Sequence, residues 1–301
     1  MEILITGGTG LIGRRLCAVL SAQGHTLTVL SRRSKQVAEL CGANVKPMAS
    51  LDEYHPGVRF DAVINLAGEP IVDARWSVKR KQILRQSRID LTHSLLQKIY
   101  QASYRPQVFL SGSAIGFYGN GGDVVFSEQA PAGGDFGAQL CVDWEAAAMA
   151  AAAMGIRTCI LRTGLVLDSA GGMLQKMRLP FSLGLGTRIG NGYQWMSWIH
   201  IHDYIAIMLF LLQHENAEGC FNMVAPEPVT NRKFTRLLAV ALHRPVLFVA
   251  PAFLLKLALG EMSELIVGGQ RVIPAKIKAA GYEFIYPSLL PALTDLLKRS
   301  G

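Results

Sequence analysis

The sequence predicts an α/β fold, a doubly wound parallel sheet with a smaller, mainly helical C-terminal lobe. Three observations predict it. An apolar, β-branched run at Glu2–Thr6 passes through a glycine turn straight into apolar residues at helical spacing over 14–20. Strand-like and helix-like segments then alternate through residue 225, which implies parallel strands covered on both faces. From Pro226 onward, helical segments divided by Pro245, Pro251, Pro274, Pro287 and Pro291 replace that alternation. The expected division is therefore 1–225 as a nucleotide-binding domain and 226–301 as a small lobe closing the substrate cleft.

The first element organises the rest. Gly7-Gly8-Thr9-Gly10-Leu11-Ile12-Gly13 lies between the first strand and the first helix, the context of a Rossmann-like dinucleotide site. Gly7 permits the tight turn, Gly10 lets backbone amides approach a pyrophosphate, and Gly13 lets the helix pack closely on the sheet. The helix N-terminus then faces phosphate with unpaired N–H groups and partial positive charge. A glycine loop without a ligand is the alternative, and the fit of both flanks argues against it. The second strand, Thr26–Leu30, ends at Ser31-Arg32-Arg33. An NAD site would place an acidic residue about 20 residues past the glycines to hold the ribose hydroxyls. Two arginines stand there instead, and their guanidinium forks suit a 2′-phosphate, so NADP(H) is the expected cofactor. A solvated basic turn is the competing explanation.

Further strands are expected at 45–48, 61–68, 107–111, 157–162 and 220–224, with helices over 77–100, 144–154 and 203–213. The end of the 61–68 strand should lie beside the glycine turn, where ligands bind in open α/β sheets. Residues 184–202, rich in glycine and aromatics, read as loops with short strands, and Asp203 as the cap of the helix that follows.

Composition narrows the function. Half of the 301 residues are hydrophobic and 17% are charged, which predicts a large core and argues against disorder. Cys17, Cys41, Cys141, Cys159 and Cys220 are scattered, with no Cys-x-x-Cys pair, so neither a disulfide framework nor a zinc or other metal site is expected. The apolar runs 204–212 and 246–259 are too short to span a membrane, the second being broken by Pro251 and Lys256. With no leader-like segment before the first strand, a cytoplasmic protein without a membrane partner is expected. The net charge is +8, yet Lys79-Arg80-Lys81, Arg85 and Arg88 spread around a helix without interleaved aromatics. That pattern suits a solvated face or attraction of an anionic cofactor, not nucleic acid.

Beyond Thr6–Gly13, an ordered set of motifs resembles one family across nearly the whole chain. The set is Asn65-Leu66-Ala67-Gly68-Glu69-Pro70-Ile71, Trp76, Ser87-Arg88, Ser111-Gly112-Ser113-Ala114, Trp144-Glu145, Leu161-Arg162-Thr163-Gly164, Trp198-Ile199-His200-Ile201-His202-Asp203 and Gly269-Gln270-Arg271-Val272-Ile273-Pro274. It resembles the atypical, epimerase-like group of extended short-chain dehydrogenases/reductases, of the YfcH type. The resemblance implies that Gly7, Thr9, Gly10, Leu11, Ile12 and Gly13 hold the pyrophosphate, and Ser31, Arg32 and Arg33 the 2′-phosphate. It implies that Leu66, Ala67 and Gly68 line the adenosine side, and that Arg88 and Arg162 are further cofactor contacts. A buried salt bridge is the alternative for Arg162. It also implies a possible homodimer through the helices at 77–100 and 144–154, against which stands packing of the small residues 146–153 on the chain's own sheet.

One departure matters. Ordinary members use Ser, Tyr and Lys, with a tyrosine hydroxyl that passes the proton and a lysine four residues later that lowers its pKa. Ser113 fits the serine, but Gly137 and Cys141 fall at the other two positions; a frame one residue earlier gives Phe136 and Leu140. Candidate substitutes are Tyr118, Cys141, Tyr193, His200 and His202, with Tyr118 favoured because it follows Ser113 closely. Glu69 and Asp73 would meet a substrate or pair with Arg75 and its neighbours. The expected function is an NADP(H)-dependent, epimerase-like oxidoreductase acting on a small or nucleotide-linked carbonyl or alcohol, with Ser113 and Tyr118 as catalytic residues. The alternative is a non-catalytic NADPH-binding redox sensor or assembly module.

Overall fold

Alternate residues of the first strand face opposite ways, and that alternation builds two cores. Ile3 and Ile5 enter one apolar cluster, while Leu4 enters another on the opposite face of the sheet. The structure is a computed structural model that describes residues 1–298. Its first half runs β1 (Glu2–Thr6), α1 (Leu11–Ala22), β2 (Thr26–Leu30), α2 (Val37–Cys41), β3 (Lys46–Met48), β4 (Ala62–Asn65), α3 (Val78–Arg85), α4 (Leu91–Gln101), β5 (Val108–Ala114), β6 (Val125–Phe126) and α5 (Phe136–Met149). It continues with β7 (Arg157–Thr163), β8 (Leu165–Leu167), α6 (Gly172–Ser182), β9 (Thr187–Ile189), β10 (Trp195–Met196), β11 (Trp198–His200), α7 (Ile201–Gln213) and β12 (Gly219–Met223). The C-terminal part holds β13 (Val229–Thr230), α8 (Asn231–Ala241), β14 (Phe248–Ala250), α9 (Ala252–Leu259), α10 (Glu264–Val267), β15 (Arg271–Val272), α11 (Ala275–Ala279) and α12 (Leu289–Lys298).

Seven parallel strands form the sheet in the order β3-β2-β1-β4-β5-β7-β12. The chain leaves β1 toward β2 on one side and returns to β4 on the other, so the switch point lies at the C-terminal ends of β1 and β4. Phe234 and Leu238 of α8 and Leu289 and Leu293 of α12 belong to the same cluster as Ile3 and Ile5, which joins the C-terminal helices to the main core. Ala148 and Ala151 pack into the opposite cluster, on the chain's own sheet. Among the described residues, no helix is long and apolar enough to cross a membrane.

Several element boundaries differ from the sequence reading, β4 among them, which ends at Asn65 and not at 68. β5 continues past Ser111 to Ala114, because Gly112 lets Trp144 lie against the strand: a Cβ there would stand 3.0 Å from its Cη2. α5 begins at Phe136, not 144, capped by Asp135, whose carboxylate accepts the Ala138 N–H at 2.8 Å. The helix expected over 77–100 is interrupted by a π-helical stretch, Gln86–Asp90, that carries Arg88. α7 is capped by His200, whose Nδ1 accepts the His202 N–H at 3.0 Å; Asp203 is not the cap. Fully buried Asp203 instead accepts hydrogen bonds from Tyr282 Oη and from the Ile285 and Tyr286 N–H groups at 2.8–2.9 Å, tying 282–286 to the sheet domain.

Candidate cofactor cleft and its inner wall

At the switch point the backbone itself forms a cradle. Gly7 has φ +72°, and a Cβ there would lie 2.7 Å from the Leu66 carbonyl carbon and oxygen. A Cβ on Gly13 would lie 2.4 Å from the Gly7 oxygen, so α1 starts flush against the turn. Gly10 caps α1 without a side chain, and its first turn holds no acidic residue, so its N–H groups stay open to an anion. A pyrophosphate fits a cradle that any side chain would fill. Leu11 is turned aside toward Gly171, where an added Cβ would meet its Cδ1 at 2.8 Å, and Ile12 is half-buried against the core.

Two of the residues predicted for a 2′-phosphate, Ser31 and Arg33, meet Thr9 of the glycine turn. Ser31 Oγ lies 3.3 Å from Thr9 Oγ1 and accepts the Arg33 N–H at 3.1 Å, while the Arg33 guanidinium donates to Thr9 Oγ1 at 3.2 Å. Arg32 extends into solvent with its side chain 89% exposed and donates to Glu69 Oε1 at 2.6 Å. Arg32, with Arg80 behind it, holds the Glu69 carboxyl below the usual carboxylate range. Glu69 thus pairs across the cleft mouth with Arg32, a partner the sequence reading did not foresee. Asp73 pairs with Lys176 at 3.7 Å.

The opposite wall is formed by the end of β4. The Ala67 N–H donates to Thr6 Oγ1 at 3.1 Å, and Gly68 rests on Arg88, whose Cζ would be 3.0 Å from an added Cβ. Arg88 donates to the Glu69 carbonyl at 2.9 Å, lies 5.3 Å from the Trp144 ring, and has no carboxylate partner among the described residues. Burial lowers its pKa from that of an ordinary arginine. A cation so placed, below the cradle and unpaired, suits a nearby anionic group.

Deeper in, strand register assembles a second polar cluster. Ser113 of β5, Arg162 of β7 and Asn222 of β12 are side by side across three strands. Ser113 Oγ donates to Glu145 Oε1 at 2.6 Å, and Arg162 clamps the same carboxylate through Nε at 2.9 Å and its terminal nitrogen at 2.8 Å. Arg162 also donates to Tyr118 Oη at 3.0 Å, and Tyr118 donates to Asn222 Oδ1 at 2.6 Å. All five side chains are buried. The buried salt bridge is therefore the place of Arg162, and Tyr118 is a link in its network, stacked on Phe126 at 5.1 Å. Burial raises the Tyr118 pKa above that of an ordinary phenol although Arg162 opposes it. Glu145 and Asn222 were not singled out as site residues; a lone Asn between Phe221 and Met223 and an Arg after Leu161 were the available signals.

At the position of the missing tyrosine, a Cβ on Gly137 would face Trp76 and Leu265, each at 3.9 Å, and Asp135 Oδ1 at 3.2 Å. Trp76 packs edge-on against Phe136 at 5.0 Å, and Lys81 bridges to Glu261 at 2.7 Å, so 260–267 closes over this end. Burial pushes the Cys141 thiol up to about 12. Tyr193 is 64% exposed. His200, His202 and Asp295 lie together, but with Nδ1 of His200 accepting a backbone N–H, the neutral ring carries its proton on Nε2, which faces Asp295 at 3.3 Å. That arrangement offers an N–H, not a lone pair, to the carboxylate.

Comparison with known proteins agrees with this fold. The NAD dependent epimerase/dehydratase family model matches residues 3–224, and a domain of unknown function, DUF1731, matches 250–296. An epimerase family protein of Mycobacterium leprae is 40% identical over 293 residues, covering 97% of this chain and 94% of that one. One from Staphylococcus aureus is 37% identical, covering 99% of each. The human epimerase family protein SDR39U1, whose crystal structure holds NADPH, superposes with a TM-score of 0.89 at 32% identity over 99% of both chains. UDP-glucose 4-epimerase of Thermotoga maritima shares the fold, with a TM-score of 0.80 at 19% identity over 100% of this chain and 99% of that one.

Proposed function

The chain belongs to the NAD dependent epimerase/dehydratase family, and on that premise we propose an NADP(H)-binding, epimerase-like oxidoreductase that works without a tyrosine–lysine relay. Its substrate class is a small or nucleotide-linked carbonyl or alcohol. The cradle from Gly7 to Gly13 would hold the pyrophosphate. Thr9, Ser31, Arg32 and Arg33 would hold the 2′-phosphate, with Leu66, Ala67 and Gly68 beside the adenosine and Arg88 beneath. When bound, the nicotinamide supplies hydride exchange at a carbon that bears oxygen.

The observation that carries the reading is the 2.6 Å hydrogen bond from Ser113 to Glu145. The chain must provide a place for the proton of the substrate oxygen. Ser113 Oγ accepts that proton as its own passes to Glu145, and the reverse step returns both. Arg162 orients the carboxylate, while Tyr118 holds Arg162 and Asn222 and contributes no proton to the substrate. A second reading, a non-catalytic NADPH-binding sensor or assembly module, is favoured by Gly137 and by the protonated Cys141 thiol.

A titration of NADPH, followed by absorbance with a panel of simple and sugar-nucleotide carbonyls, separates the two. Ser113→Ala should retain NADPH affinity and lose at least about 10²-fold in turnover, the usual size of a lost proton relay. Tight NADPH binding with no oxidation by any carbonyl would leave the sensor reading in place.

A further inference from the structure

The cleft between α8 and the β9–β14 ribbon gathers positive charge without any counter-charge. It is a cavity of about 400 Å³, within the size range of small-molecule sites, and none of its lining residues belongs to the cofactor cleft. Arg188 from β9, Arg232 and Arg236 from α8, and Arg244 beyond α8 all line it. No carboxylate does, and none of the four has an ion-pair partner among the described residues. A Cβ on Gly192 would stand 2.7 Å from Arg188 Cδ and 3.0 Å from Arg232 Cβ, so these two stems press together over one glycine.

Two buried polar atoms in the lining make the same point independently. Thr235 is 1% exposed, and its Oγ1 has no hydrogen-bond partner; Arg188 Nε is likewise buried and unpartnered. Such groups cost free energy unless something satisfies them. On the other side the lining is apolar and open: Val240 is 51% exposed, Leu247 74% and Phe248 47%. Large exposed apolar groups beside a charged rim mark a binding surface more often than bare solvent contact.

We propose that this cleft is a second ligand site, for a phosphate monoester carried on an apolar chain. A phosphate monoester carries about −1.5 to −2 charge near neutral pH and three acceptor oxygens, which match several guanidinium groups lining one cavity and a buried hydroxyl, although Arg244 Nε already donates to the Ser182 carbonyl at 2.8 Å. A single carboxylate would leave more of the cationic charge uncompensated. The chain of the ligand lies along Val240, Leu247 and Phe248. The same chemistry occurs in a soluble alkyl phosphate and in the headgroup of phosphatidic acid.

The test is calorimetric titration of the full chain with hexyl phosphate, beside inorganic phosphate and hexanol. Hexyl phosphate should saturate one site, with inorganic phosphate at least about 10-fold weaker and hexanol without measurable binding. Arg232→Ala with Arg236→Ala, both exposed on α8, should weaken hexyl phosphate at least about 10-fold and leave NADPH affinity unchanged. Leu247→Ser should weaken hexyl phosphate and leave inorganic phosphate unaffected. Sedimentation with phosphatidylcholine vesicles containing phosphatidic acid separates the sources. Arginine-dependent recruitment identifies a lipid headgroup, and hexyl phosphate binding without recruitment identifies a soluble ligand. Absence of both, or equal binding by the double variant, overturns the proposal.

Discussion

Two arginine–glutamate pairs, one exposed just past β2 and one buried between β7 and α5, have lengths that say almost nothing about their worth. Arg32 meets Glu69 at 2.6 Å with side chains 89% and 20% exposed; Arg162 meets Glu145 at 2.8 Å with side chains 5% and 9% exposed. The outer pair is solvated and screened, so it is easily exchanged for another anion. The inner pair has left water, so its partners depend on each other and on Ser113 and Tyr118 for their remaining hydrogen bonds. The same two functional groups therefore make an adjustable, solvated pair in one place and a fixed scaffold in the other.

The inner pair carries the largest expected effect. Glu145→Gln keeps the shape of the side chain and leaves Arg162 buried beside a neutral amide. Breaking a buried pair costs about 3–5 kcal/mol, and the Glu128 carbonyl and Tyr118 still accept from Arg162, so about 3 kcal/mol is expected in urea unfolding near neutral pH. NADPH affinity should change little, since the cradle does not touch this network. A loss below about 1 kcal/mol would place the inner pair in the same class as the outer one.

Next comes Arg32→Ala. A charge-assisted bond to the 2′-phosphate is worth about 1.5–3 kcal/mol, so NADPH should bind roughly 10- to 150-fold more weakly while NADH is almost unaffected. Thermal stability should stay within about 0.5 kcal/mol, as for most exposed positions. Equal losses for both cofactors would remove Arg32 from the 2′-phosphate.

These two places were also unequally legible in the sequence. β1 and β2 were expected at Glu2–Thr6 and Thr26–Leu30 and lie there, because a glycine turn and a basic turn end them locally. The cradle was legible for the same reason: backbone makes it, and glycine spacing announces backbone. The inner network depends on register across β5, β7 and β12, and on a helix whose start was hidden. That helix was expected to start at 144, whereas Asp135 caps it and it begins at Phe136. The fifth strand was expected to end at Ser111, whereas Gly112 lets it continue under Trp144 to Ala114. Arg162 was open to two explanations until Glu145 supplied its partner. Glu69 was open between a substrate and Arg75 with its neighbours, since nothing in the linear order brings Arg32 to it.

Tyr118→Phe tests whether the inner network is scaffold or chemistry. The substitution removes one hydroxyl and leaves an Arg162 N–H and the Asn222 oxygen without it, which costs about 1–3 kcal/mol of stability. The ring and its stacking on Phe126 remain. Turnover should stay within a few-fold, in contrast to Ser113→Ala. A fall of about 10²-fold with unchanged stability would make the Tyr118 hydroxyl the proton donor after all.

The smallest effect is expected at Glu69, and its direction is the informative part. Its carboxylate holds the guanidinium proposed for the 2′-phosphate, so on that proposal NADPH would displace it, and Glu69→Gln removes the competitor without shortening the side chain. An exposed pair contributes about 0–1 kcal/mol, so NADPH should bind up to about 5-fold more tightly. NADH, with no 2′-phosphate, should not respond. Because Arg32 and Arg80 hold this carboxyl below the usual range, it stays ionised throughout mildly acidic and neutral pH, and the competition persists there. Added salt screens the pair and should shrink the difference between wild type and variant. Weaker NADPH binding by Glu69→Gln would reverse the role: the carboxylate would then be positioning Arg32 for the phosphate, and the outer pair would share the fixed character of the inner one.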